Sequence, residues 1–194
     1  MEAIKLKTAV LDRLTDAEFF EFCQDHRDLR IERDAAHQIT IMPPASSETG
    51  AYNSDLIADL VIWNRQHGLG RVFDSSAGFT LSTGAMLSPD ASWVAQARWD
   101  ALSPDDRRGF ARICPDFVVE LLSPSDRLTD TMRKMEHWLE AGARLGWLLV
   151  PASESAYVFE AGQPVRPVVG FDQLLRAEPV LPGFALELHR LRPR

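Results

Sequence analysis

Apolar positions along the chain follow two rhythms, and each change of rhythm marks an element. Tyr52, Leu56, Ile57, Leu60, Val61 and Trp63 recur at intervals of three and four, and Gly68 and Gly70 supply a stop, so the spacing predicts a helix over 47–67. Leu128, Met135, Trp138 and Leu139 trace a second stripe over 126–141, ended by Gly142, with Ser123, Ser125 and Asp126 placed to cap it. A shorter helix over about 16–26 follows from the capping-box spacing of Thr15 and Glu18, ahead of Phe19, Phe20 and Phe22.

The remaining apolar runs are short and read as strands. Runs at 29–32 and 38–42, the second stopped by Pro43 and Pro44, predict a hairpin. Runs at 71–73, 78–81 and 91–94, separated by Ser and Gly turns, predict a meander. Residues 117–122 form a strand, and 145–150 are apolar almost throughout, as in a strand buried on both faces. Strand, helix, strand over 117–150 predicts a crossover unit, right-handed if the strands are parallel neighbours. A terminal hairpin around Gly162 and a last run at 181–188 close the chain, and Ser103 to Asp106 offers a helix start within a polar excursion over 96–114.

This order of elements predicts an α/β fold with a central mixed β-sheet flanked by α-helices. At 194 residues, 45% hydrophobic and without linkers or repeats, residues 1–194 are expected to form a single domain. No apolar run approaches the roughly 20 residues of a membrane span, and Met1 to Lys5 lacks a signal-peptide layout, so no membrane contact and a cytoplasmic location are expected. Cys23 and Cys114 have no metal-knuckle spacing and read as reduced thiols in or near the core. The net charge of -7 argues against nonspecific coating of nucleic acid, although Arg107-Arg108 and 127–133 are locally basic. None of the five histidines pairs with another at ligand spacing, and no nucleophile-elbow motif is present.

Two acids carry the chemistry. Asp90, after Leu87-Ser88-Pro89, and Glu120, within the 117–122 strand, each interrupt an apolar segment. A carboxylate taken out of water needs a partner cation, so two of them at adjacent strand ends suggest a divalent metal site, against the simpler reading of a salt-bridged strand end and a loop acid. Side chains alternate along a strand, so Glu120 shares a face with Val118 and Leu122 while Phe117, Val119 and Leu121 face the other way. Lys134 borders the apolar stripe of its helix and could return its amine to the strand end, or be an ordinary solvated lysine.

Asp90, Glu120 to Ser125, Asp130, Lys134, Trp138 to Gly142 and Trp147 to Pro151 together resemble the Uma2 family of restriction-endonuclease-like proteins. Arg30-Ile31-Glu32, 43–48 and 180–184 match in order and spacing across most of the chain. Departures are Asp34-Ala35-Ala36 where the family has a turn glycine, Thr49 where a histidine is common, and Trp138 as the helix aromatic. The resemblance implies a PD-(D/E)XK nuclease core in which the strand lysine slot, here Leu122, is vacated in favour of Lys134 on the helix. It further implies that Asp90, Glu120 and a backbone carbonyl near Leu121 hold Mg2+ or Mn2+, and that Lys134 orients the attacking water or stabilises the charged transition state in DNA hydrolysis. Glu48 would add a ligand or general base, with Glu32 a weaker candidate, although Glu48 also reads as a helix N-terminal acid and Glu32 as a paired hairpin acid.

The expected activity is a metal-dependent endonuclease acting on DNA. The rivals are a nuclease fold kept as a catalytically inactive binding or assembly module, and a phosphohydrolase of small phosphate esters using the same residues. Repulsion between Asp90 and Glu120 is expected to raise the pKa of one of them when the metal is absent. Lys134→Ala is expected to lower activity by on the order of 10²-fold or more while leaving folding and metal affinity nearly intact. The polar excursion flanked by apolar residues such as Trp93 and Trp99 is expected to form an isologous contact that makes a homodimer, since cutting both strands of a duplex takes two sites.

Overall fold

The computed structural model describes residues 3–6 and 13–193. The crossover unit forms its centre. Strand β8 (Phe117–Leu121) lies parallel to β9 (Leu145–Val150), with Phe117 opposite Leu145 and Leu121 opposite Leu149, and α4 (Leu128–Glu140) connects them. Four antiparallel neighbours complete a mixed six-stranded sheet in the order β11 (Arg166–Val169), β10 (Ser155–Glu160), β9, β8, β7 (Ala91–Ala95), β4 (Gly70–Asp74).

Both faces of this sheet are buried. Phe117, Val119 and Leu121 pack with Leu56, Leu60 and Trp63 of α2 (Ser47–His67) in one core. Val118, Leu148 and Val150 pack with Met135 and Trp138 of α4 in a second. The period-two alternation of β8 therefore sends its odd and even residues into different cores, and Glu120 falls on the α4 face. Gly146 of β9 sits where Met135 presses on the sheet, and a side chain there would have to displace the Met135 methyl. Full burial of Met135 contributes about 1.5–3 kcal/mol. Helix α2 starts at the Ser46 cap and ends at Gly68, whose φ of 64° is the left-handed conformation that glycine takes without strain.

A second sheet, in the order β1 (Ile4–Leu6), β3 (Ile39–Met42), β2 (Arg30–Arg33), β6 (Met86–Leu87), β5 (Phe79–Thr80), is covered by Phe19 of α1 (Asp16–Asp25). The β2–β3 turn dispenses with glycine: Asp34 Oδ1 accepts from the amides of Ala36 (2.9 Å) and Gln38 (2.8 Å), and His37 takes the positive φ. At the C-terminal end β12 (Leu174–Arg176) pairs with β13 (Ala185–Glu187), and Leu188 and Leu191 cap the first core. Among the described residues no helix is long and apolar enough to cross a membrane.

Three local expectations fail for identifiable reasons. The 71–95 segment is no simple meander, because β4 and β7 pair with each other while the intervening β5 and β6 join the second sheet. The helix expected from Ser103 is only a turn: Ser103 caps Asp106 in both directions, but Gly109 follows at a φ of 72°, and the helix of this excursion is instead α3 (Gln96–Asp100), continuous with β7. Ser123 and Asp126 bond within the loop, Asp126 accepting from the Ser123 amide, so α4 starts two residues later with Arg127 as an N-cap lacking a side-chain bond.

Candidate active site

The β7–β8 register sets the first acid. Ala91 lies opposite Val119, the Asp90 amide donates to the Val119 carbonyl (3.0 Å), and Asp90 Oδ2 accepts from the Leu121 amide (2.7 Å). The Asp90 carboxylate is thereby fastened to the backbone of β8 beside Glu120. From the α4 face, Glu120 Oε1 accepts from Trp138 Nε1 (3.0 Å) and pairs with Lys134 Nζ (2.9 Å). Lys134 and Trp138 are four residues apart, which stacks them on one helix face.

Strand β2 supplies the other wall. Arg30 and Glu32, two residues apart, share a strand face turned to the site, while Ile31 joins the core under α1. Glu32 Oε1 pairs with Lys134 Nζ (2.8 Å) and accepts from the Ser88 amide (2.9 Å). Arg30 Nη1 pairs with Asp90 Oδ1 (2.8 Å), and its Nη2 donates to the Ser88 carbonyl (2.6 Å), which also accepts from Lys134 (3.0 Å). The result is three carboxylates and two cations gathered beside the Ser88 backbone, whose amide and carbonyl both take part. Side-chain exposure rises from 6% at Glu120 through 15% at Asp90 and 17% at Lys134 to 31% at Arg30, so Glu120 is the floor and Arg30 the mouth.

Burial pushes the Glu120 carboxyl up to about 7; Lys134 opposes this, and Asp90 and Glu32 add to it. The expected rise in one of the two acids therefore occurs, but desolvation is its main cause and repulsion by Asp90 a smaller one. Burial works to lower the Lys134 pKa, yet Glu120 and then Glu32 outweigh it and hold the ammonium above its ordinary value. Arg30 is raised too, burial being outweighed by Asp90, Glu32 and Glu120.

Asp90, Glu120 and Lys134 thus come together, with the amine on Glu120 and Glu32 while Asp90 has Arg30. Glu48 does not join them: it lies exposed in the first turn of α2 and accepts from the Tyr52 hydroxyl (2.9 Å), and no described bond ties it to the cluster. Glu32 is a full member, and Arg30, Ser88 and the Trp138 indole were not singled out from sequence. Their signal was the charged pair at alternate positions of a short strand and an aromatic one helical turn after Lys134. The tryptophans that flank the excursion are used internally: Trp93 is buried against Trp63 and donates to Asn64 Oδ1 (2.8 Å), and Trp99 packs on Phe73 under Arg71 and Arg107.

The donor chemistry suits a hard cation. Asp90 and Glu120 offer only oxygen, each carboxylate has acceptor capacity beyond its present bonds, and the cluster carries one more acid than base. No group of three acidic, histidine or cysteine side chains poised to hold a metal occurs among the described residues, and Glu32 Oε1 already accepts from Lys134 and the Ser88 amide. A cation held by Asp90 and Glu120 would complete its shell with backbone oxygen or water, the habit of Mg2+.

The crystal structure of a putative nuclease belonging to DUF820 from Anabaena variabilis ATCC 29413, determined at 1.96 Å resolution, is similar to this chain with a TM-score of 0.71 and 21% sequence identity, over 83% of this chain and 88% of that one. At that identity the likeness speaks for the fold, a nuclease-type α/β fold with mixed sheets flanked by helices. Among curated proteins none matches. The family model Uma2, described as putative restriction endonuclease, matches residues 16–189, a span that contains every residue of the charged cluster. The chain therefore belongs to the Uma2 family.

Proposed function

We propose that this chain is a Mg2+- or Mn2+-dependent endonuclease that hydrolyses phosphodiester bonds of DNA at the Asp90, Glu120 and Lys134 cluster. The observation that carries the reading is the Lys134 ammonium, drawn 2.9 Å from Glu120 near the end of the interior strand β8, where Asp90 also converges. Asp90 and Glu120 would hold the divalent ion. When bound, that ion supplies Lewis acidity and neutralises charge on the scissile phosphate.

The protein's own residues do the rest. Asp90 is oriented by the Leu121 amide and Glu120 by the Trp138 indole, so neither has to be ordered when substrate arrives. Lys134, pinned by Glu32 and the Ser88 carbonyl, presents a fixed ammonium to a non-bridging phosphate oxygen or to the attacking water. Hydrolysis forms a bond from water oxygen to phosphorus and breaks the bond to one bridging oxygen, which leaves with a proton. Glu48 takes no step in this reading.

The experiment is nicking of supercoiled plasmid by purified protein with Mn2+, alongside Asp90→Ala. Nicking that needs Mn2+ and is lost in the variant supports the reading. Absent nicking in both overturns it and favours an inactive nuclease-fold module, to which the net charge of -7 would be no obstacle, and equal nicking in both overturns it by showing that the activity does not depend on Asp90. Turnover of a small phosphate diester without nicking would reassign the site to a phosphohydrolase.

A further inference from the structure

We propose that Arg30 is the residue that binds a phosphate of the substrate, held ready on Asp90 until a nucleic acid arrives. This inference rests on the nucleic-acid substrate assigned above. Arg30 is the more exposed of the two cations, at 31% against 17% for Lys134, so an incoming phosphate meets it first. Its donors are underused: Nη1 and Nη2 bond Asp90 and the Ser88 carbonyl, while Nε is buried without any acceptor. A buried donor with no partner is costly and marks a place where a ligand oxygen or water completes the shell.

The planar fork of a guanidinium matches a phosphate as well as a carboxylate. A divalent ion at Asp90 would compete for the oxygen that Arg30 now holds and so weaken that pair. Arg30 is also the first residue of β2, whereas the strand beyond it is anchored by Glu32 and by the buried Arg33 on Asp16, so its side chain can re-aim without the strand moving.

An arginine that only neutralised Asp90 would become dispensable once that charge was removed, and this separates the two roles. Binding of a fluorescein-labelled DNA duplex is measured by anisotropy over a salt series for Asp90→Asn and for Asp90→Asn with Arg30→Met. The double variant is expected to bind about tenfold more weakly at low salt, with a log K against log salt slope smaller by about 0.9, the value for one phosphate contact. Arg30→Lys in the same background should keep the slope. Should Arg30→Met fail to fold, Arg30→Gln keeps neutral donors toward Ser88 and carries the comparison. An unchanged slope, or no duplex binding by Asp90→Asn, overturns the proposal. Nicking by the unmodified chain beside an unchanged slope removes the role of Arg30 alone, whereas a reduced slope without nicking removes hydrolysis and keeps Arg30.

Discussion

Glu120 is the side chain whose protonation state the site leaves closest to balance. Its folded pKa of about 7 stands above the ordinary 4.5, so the native state binds a proton that the unfolded chain releases between those values. The stabilising contribution is therefore full below about 4.5 and is lost as pH rises through 7. Relative to Glu120→Gln, the metal-free protein should lose stability as pH rises from about 4.5 through 7. Urea melts of both proteins across that range check it, and a pH-independent difference would show that Glu120 titrates normally. Lys134 shows how the structure alters an expectation. Its amine pairs with two buried acids, so Lys134→Ala should cost stability, about 3–5 kcal/mol, as well as roughly 10²-fold in nicking rate. Lys134→Arg should restore little, because a planar guanidinium cannot fill a point held by Glu32, Glu120 and the Ser88 carbonyl together. Full folding stability in Lys134→Ala would contradict the buried pairing.

Elements are fixed to one another by a few polar clasps at places where their packing leaves no space for error. Asn64 on α2 accepts from Trp93 Nε1 of β7 and donates to the Gly70 carbonyl of β4, both at 2.8 Å, so one amide joins a helix to two strands. Gly70 has no room for a side chain because the Trp93 ring and the Val94 carbonyl lie against it. Asn64→Leu should strand the indole N–H and the carbonyl in a largely apolar setting and cost about 2–3 kcal/mol in urea denaturation. A loss below about 0.5 kcal/mol would mean that the clasp contributes nothing beyond shape. The active-site elements obey the same logic. Strand β8 presents Glu120 only because Phe117, Val119 and Leu121 commit its other face to the α2 core, and a slip of one residue would exchange the two faces.

At the scale of the molecule, β7, β8 and β9 contribute to both cores, and this shared sheet predicts that residues 1–194 unfold as one unit. Thermal melts followed by near-ultraviolet and far-ultraviolet circular dichroism should coincide, and two separated transitions would show two domains. Cleavage of both strands by a homodimer remains a proposal about two copies of one site, tested by sedimentation with a DNA duplex at micromolar concentration. With Trp93 buried and Trp99 stacked internally, any such contact would use other surfaces. The sequence by itself predicted the long helix, the crossover unit of β8, α4 and β9, the face on which Glu120 lies, and Asp90 and Glu120 as candidate acids, because alternation, helical spacing and charges set in apolar runs are local signals; Lys134 became a candidate only through the family resemblance. It also set the length of α2, since Ser46 and Gly68 act through backbone bonds close by. Only the tertiary structure decided that β4 closes on β7 across an intervening hairpin, that Arg30 and Glu32 line the site, and that Glu48 stays outside it. Those outcomes depend on which strands meet across dozens of residues: Arg30 reaches Asp90 and Glu32 reaches Lys134 through space, and the worth of each charge is set by the burial and company it finds there.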